Sequence, residues 1–145
     1  KTPQFALHEH NEIRAAQSLI AQIKDGKSVA LVSDAGTPLV SDPGYRLVQA
    51  AHENGIAVSP VPGPSAVSAA LSVSGLPTDR FCFEGFPPAK KAARRKWLQA
   101  RAADGRTLLF FEAVHRIGAT LADMVDVFGA DREAFLDLLE VQGQR

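Results

Sequence analysis

Cysteine is nearly absent from this chain: one thiol, Cys82, in 145 residues cannot form an internal disulfide, which sets aside the disulfide-framework domains of small secreted proteins. Its place inside Phe81-Cys82-Phe83 points to a packed thiol rather than a reactive one. Long apolar runs are also missing. None approaches the roughly 18 residues of a membrane span, and no charged-then-apolar leader stands at the start. The expectation is a cytoplasmic protein with no membrane partner. The sequence lacks the GK[ST] ending of a phosphate loop, G-x-G-x-x-G and G-x-S-x-G, so nucleoside triphosphate, dinucleotide and serine-hydrolase chemistry of the usual kinds have little support. Net charge is zero, yet unevenly spread. Through Ala103 there are 12 Lys and Arg against 8 Asp and Glu, and after it 4 against 8.

What is present centres on Ser33–Gly44, SDAGTPLVSDPG. It follows an apolar run and is rich in Gly, Pro, Asp and Ser, the composition of a loop at the end of a buried strand. A second loop, Pro60–Ala66 (PVPGPSA), follows the apolar Ile56–Val58 and leads into a small-residue helix. Ligands of open α/β sheets sit outside the carboxyl ends of the strands, so two such loops on neighbouring strands predict one binding crevice.

Along the chain, Ile13, Ala16, Leu19, Ile20 and Ile23 recur at helical spacing, with Asn11 as N-cap and Gly26 as the stop. The preceding His8-Glu9-His10 lacks the i,i+4 geometry of helical zinc ligands, and no metal is expected. Lys27–Val32 and Ile56–Val58 read as strands around a helix over 44–54, a βαβ pattern that predicts parallel pairing. A helix over 65–74 follows. Then come a strand over 81–86, a basic helix over 88–103, a strand over 107–111, a turn at 112–115, and a helix with Ile117, Leu121, Met124, Val125 and Phe128 on one face. The fold class is α/β in two parts, 1–78 and 79–145. The opening without methionine and the abrupt end suggest a piece of a longer protein.

The runs LVSDAGTPLVSDPGYRLVQAA, PVPGPSAVSAALSVSGLPTDRF, FEGFPP before a basic helix, and TLLFFEAVHR together closely resemble the tetrapyrrole-methylase-like S-adenosylmethionine-dependent methyltransferases. Within that fold they resemble the branch that methylates a cytidine ribose 2′-hydroxyl in bacterial small-subunit ribosomal RNA. The likeness runs from His8 to Asp131. It implies two α/β domains, both incomplete here, with S-adenosylmethionine held in the cleft between them. Gly36-Thr37-Pro38 stands where many relatives carry Gly-Asp-Pro, so Thr37 replaces an acid. Val40, Ser65 and Ala66 are implied to line the cofactor pocket, with Glu112 and Ala113 approaching from the second domain. The family's first cofactor loop has no counterpart, and Glu133–Arg145 departs from the strand expected there.

The resemblance transfers no catalytic base. His115, His8, Glu112 and Asp34 are the candidates for removing the ribose proton. Their structural alternatives are a helix cap for His115, a pair with Arg116 for Glu112 and a turn for Asp34, alone or with Asp42. Lys90, Lys91, Arg94, Arg95 and Arg101, with Lys96, form a cationic helix without an acid from Phe86 to Ala103. At helical spacing Lys90, Arg94 and Arg101 share an arc, which reads as a stripe for RNA phosphates. Trp97 reads as packed. The alternatives are a tetrapyrrole or other small substrate, or a non-catalytic RNA-binding piece. The partner expected is small-subunit ribosomal RNA, and homodimerisation is left open.

Overall fold

A computed structural model describes residues 2–137. The chain divides between Ser65 and Ala66 into two compact units. Residues 138–145, part of the segment expected to depart from the family pattern, lie outside the described residues.

The first unit is a helix pair. Helix α1, Glu12–Lys24, buries Ala16, Leu19 and Ile20, and α2, Tyr45–Glu53, buries Leu47 and Ala51. These five side chains form one core, with Ile23, Ala50 and Ile56 packed against it. The spacing of 16, 19 and 20 on one helix and of 47 and 51 on the other is the i, i+3, i+4 stripe of an amphipathic helix. Ile13, expected in that stripe, is exposed. Gly26 ends α1 at φ 89°, while its N–H donates to the Ile23 carbonyl at 2.9 Å and that of Lys27 to Gln22 at 3.1 Å. Asn11 holds the N-cap position without capping the helix through its side chain. Its Oδ1 accepts from the His8 N–H and its Nδ2 donates to the Ala6 carbonyl, both at 2.9 Å.

The expected strands over 27–32 and 56–58 are not strands among the described residues. They do not pair with one another, and Val32 is 81% exposed. Apolarity marks a segment able to enter a sheet, but a strand exists only where a neighbour satisfies its backbone N–H and C=O groups.

In the second unit α3, Ala66–Val73, precedes β1, Phe81–Phe83. Then follow α4, Lys91–Gln99, β2, Thr107–Leu109, a 3₁₀ turn over Val114–Arg116, and α5, Ile117–Phe128. The two strands pair in parallel, with Phe81 opposite Thr107, Cys82 opposite Leu108 and Phe83 opposite Leu109. The pairing continues past β1, where Glu84 N–H donates to Leu109 O at 2.8 Å and Phe111 N–H to Gly85 O at 2.9 Å. A strand–helix–strand unit with α4 as the crossover makes this the α/β part of the chain. The Cys82 Sγ–H donates to Glu84 Oε1 at 3.4 Å, and that bond, with some burial, pushes the thiol pKa up.

The interior of this unit is partly polar. Leu98 is fully enclosed, and so are Pro87, Thr120 and Asp123. The apolar stripe expected on α5 does not supply its buried face: Thr120 and Asp123 do. Leu121, Met124, Val125 and Phe128 instead line a cavity of about 400 Å³ shared with Leu108 and Phe110. Trp97 packs edge-on to Phe110, with ring centroids 5.7 Å apart, and Phe111 meets Phe83 and Phe86 in the same manner.

Leu98→Ala removes the largest enclosed apolar side chain on α4 and leaves a cavity in its place. Chemical denaturation should show a loss of about 2–5 kcal/mol, whereas the same change at exposed Gln99 should leave the midpoint nearly unchanged.

Candidate functional site

The loop over 33–44 lies in the first unit and is held at both ends. At its start, the Ser33 hydroxyl donates to the carbonyls of Ala35 and Gly36, at 3.2 and 3.4 Å. Thr37 Oγ1 donates to the Pro64 carbonyl at 3.0 Å, so a hydrogen bond ties the two Gly/Pro loops together. Gly36 is at φ 70°, and a Cβ there would meet Pro64 O at 3.7 Å. The space would admit a methyl group, but the backbone conformation disfavours any side chain. Gly36, Thr37 and Val40 are exposed and Pro38 is half-buried.

The far end of the loop is more tightly specified. Gly44 lies at φ 133°, and a Cβ on it would come within 2.6 Å of Leu31 Cδ2 and 2.9 Å of Leu39 Cδ1. Only glycine fits. The Gly44 N–H and the Arg46 N–H both donate to Glu12 Oε1, each at 2.8 Å. These are free N–H groups at the start of α2, where a carboxylate is favoured by their partial positive charge. Nothing in the local sequence marks Glu12 as a cap for α2. Its partners lie more than thirty residues downstream, and no local pattern signals so distant a cap.

Of the proton-acceptor candidates, Asp34, His8 and His115 are exposed. The His8 ring lies edge-on to His10 with centroids 6.0 Å apart. Among the described residues no group of three or more His, Cys, Asp or Glu is placed to share a metal ion. Glu112 differs from the other candidates. Its side chain is 4% exposed. Oε1 accepts from the Ala113 N–H at 2.8 Å, and Oε2 accepts from Arg116 at 3.1 Å and from Thr120 Oγ1 at 2.6 Å. Arg116 continues to the Pro87 carbonyl at 2.7 Å. With three donors on one carboxylate, Glu112 is an organiser of the turn after β2, and the Glu112–Arg116 pairing alternative is the one realised.

The cationic helix is where the structure departs furthest from the sequence reading. Arg94, assigned to a phosphate-facing stripe, is 4% exposed. Its Nε donates to Asp123 Oδ2 at 2.8 Å, its NH2 approaches the same oxygen at 2.6 Å, and its NH1 donates to the Ala89 carbonyl at 3.1 Å. Arg95 pairs with Asp123 and Asp126. Arg101 pairs with Glu84 at 2.6 Å and lies over the Trp97 ring at 3.6 Å, a cation–π contact. The physical reason is that acids absent from α4 itself arrive from α5 and from the end of β1, so the arginines find intramolecular partners. Lys90, Lys91 and Lys96 remain exposed. Lys91 and Lys96 lie on the order of 140° apart around the helix, so they form a cationic surface and not a narrow stripe.

Burial pushes the Asp123 carboxyl up, but the hydrogen bond and charge of Arg94, with Arg95 and Lys91 behind it, outweigh burial and hold it below the usual range. Hydrogen bonds from the Arg106 side chain and backbone hold Asp104 well below that range too.

With this geometry in place, comparison identifies the class. The sequence matches the family Tetrapyrrole (Corrin/Porphyrin) Methylases over residues 1–136, and the chain belongs to that family. Among similar proteins, the ribosomal RNA small subunit methyltransferase I of Escherichia coli O157:H7 is 54% identical over 132 residues, covering 91% of this chain and 46% of its own. The protein of the same name from Pseudomonas aeruginosa is 57% identical over 136 residues, covering 94% and 48%. That from Xylella fastidiosa Temecula1 is 58% identical over 132 residues, covering 91% and 48%. The chain thus spans about half the length of these relatives.

Because the folded Asp123 carboxyl titrates below its unfolded value of about 3.9, its stabilisation is fully present above that value and is lost as pH falls through the lowered folded one. Denaturant midpoints measured from neutral pH downward should therefore fall in acid. Asp123→Asn should be less stable at neutral pH and show a shallower acid decline.

Proposed function

We propose that the protein is an S-adenosylmethionine-dependent methyltransferase that modifies a cytidine ribose 2′-hydroxyl of small-subunit ribosomal RNA. The observation that carries this reading is identity of 54–58% across at least 91% of the chain to relatives named for that RNA. The order of the loops agrees with it.

The resemblance assigns the donor to Gly36, Thr37, Pro38, Val40, Ser65 and Ala66, and names Glu112 and Ala113 as the second domain's candidates. The residues of the first loop fit such a ligand. Gly36 offers bare backbone at positive φ, and Thr37 spends its hydroxyl proton on Pro64, which leaves its oxygen as an acceptor. When bound, S-adenosylmethionine supplies a methyl group already activated by its sulfonium. The protein's share is then to orient the ribose oxygen in line with that methyl, exclude water and receive the hydroxyl proton. The hydroxyl proton would pass to a base as the ribose oxygen takes up that methyl. His115, His8 and Asp34 keep exposed side chains for this task, whereas Glu112 is buried and already accepts from three donors.

RNA contact is assigned to Lys90, Lys91 and Lys96, with Arg95 at the margin. The inward turn of Arg94 and Arg101 weakens the charge argument against a tetrapyrrole or other small substrate. The relatives' names support RNA.

Two measurements in the full-length protein that carries this sequence test the reading. Ala66→Trp, at the first turn of α3, should weaken S-adenosylmethionine binding by calorimetry by about tenfold or more if backbone approach is required there. Unchanged affinity in the folded variant would remove Ala66 from the pocket. Changing Lys90, Lys91 and Lys96 together to Gln should flatten the slope of log RNA affinity against log salt by roughly two to three, at about 0.7–0.9 per lost phosphate contact. An unchanged slope would make these lysines an ordinary solvated surface and favour the small-substrate reading.

A further inference from the structure

Glu12 begins α1, and nothing in the resemblance assigns it a role. An acid in the first turn of a helix commonly serves the N-terminus of that helix. Glu12 instead reaches across to the end of the 33–44 loop, where a single oxygen, Oε1, accepts from both Gly44 and Arg46 at 2.8 Å. Between this clamp and the Thr37–Pro64 bond runs a backbone that most sequences would avoid. Leu39 has φ 72° and Ser41 φ 64°, a conformation uncommon outside glycine, asparagine and aspartate. Leu39 also covers Gly44, together with Leu31. Such backbone persists only where its surroundings over-determine it. Here the surroundings are Glu12 at one end, Thr37 at the other, and the two leucines closing over Gly44.

We infer that Glu12 is a positioning residue for the donor loop: it holds the Leu39–Gly44 backbone in its left-handed course and thereby sets affinity for S-adenosylmethionine. This rests on the assignment of that loop to the donor. Glu12 touches neither donor nor RNA in this role, so its loss acts on donor affinity and leaves RNA affinity in place.

The test is calorimetry with S-adenosylhomocysteine on the full-length protein that carries this sequence, at a temperature where every variant is folded. Glu12→Ala should raise the Kd about five- to tenfold, the fold-change equivalent of a lost helix cap. Glu12→Asp, with a reach shorter by one methylene, should behave like alanine. Glu12→Gln should stay within about twofold, because its amide oxygen can accept both bonds. Leu47→Val loosens the same α1–α2 packing and should lower the melting temperature while leaving the Kd within about twofold. Gly36→Val, forcing a β-branched side chain onto φ 70°, reports on the loop assignment itself and should abolish binding. Wild-type affinity in Glu12→Ala beside lost binding in Gly36→Val would overturn the role of Glu12 alone. Wild-type affinity in both would overturn the loop assignment and the inference together. Equal weakening by Glu12→Ala and Leu47→Val would make the effect one of general stability and would also overturn it.

Discussion

Burying an arginine commits the rest of a small domain to supplying its counter-charge, and in the second unit Arg94 makes that demand on α5. A guanidinium cannot shed its proton to escape the cost of desolvation, so an acid must meet it in a fixed geometry. Asp123 does so from the buried side of α5, and this decides which way that helix faces. Thr120, one turn earlier, is buried on the same side and reaches Glu112, which in turn holds Arg116 and through it the Pro87 carbonyl. The turn after β2, the entry to α4 and the orientation of α5 are therefore settled largely by polar contacts. The apolar residues of α5 are left to line a cavity with β2.

The first unit uses the opposite economy. Five small and aliphatic side chains join α1 to α2, and a lone carboxylate adds direction to a contact that hydrophobic burial alone would leave free to slide. Helix pairs of this length have little intrinsic stability. A cap donated by one helix to the other couples their formation and, in the same act, anchors the chain between them.

Helices were the legible part of the sequence. Periodicity located α1 and Gly26 marked its end, because those signals are local and a helix satisfies its own backbone. Strands β1 and β2 were legible on either side of the basic helix, while parallel pairing was expected of the earlier runs instead. Residues 27–32 and 56–58 had the same apolar appearance, but strand formation depends on a neighbour that no property of the segment itself reveals. The cationic helix misled for a related reason. The absence of acids between Phe86 and Ala103 says nothing about acids brought in by the fold, and Asp123 lies on the side of α5 away from the residues that read as its apolar face. At the candidate site, the 33–44 segment was legible as a loop from Gly, Pro and Asp clustering. The Thr37–Pro64 tie and the Glu12 clamp were not, since each joins residues far apart in sequence.

The single cysteine gives this architecture a built-in reporter. Cys82 lies on β1 opposite Leu108, half-buried and bonded to Glu84, and the raised pKa of its thiol keeps the reactive thiolate scarce at neutral pH. Alkylation of the native chain is thereby slowed both by access and by protonation, and both brakes release when β1 leaves β2. A simple thiol reagent, with no label engineered in, therefore times the opening of the strand pair around which the second unit is built.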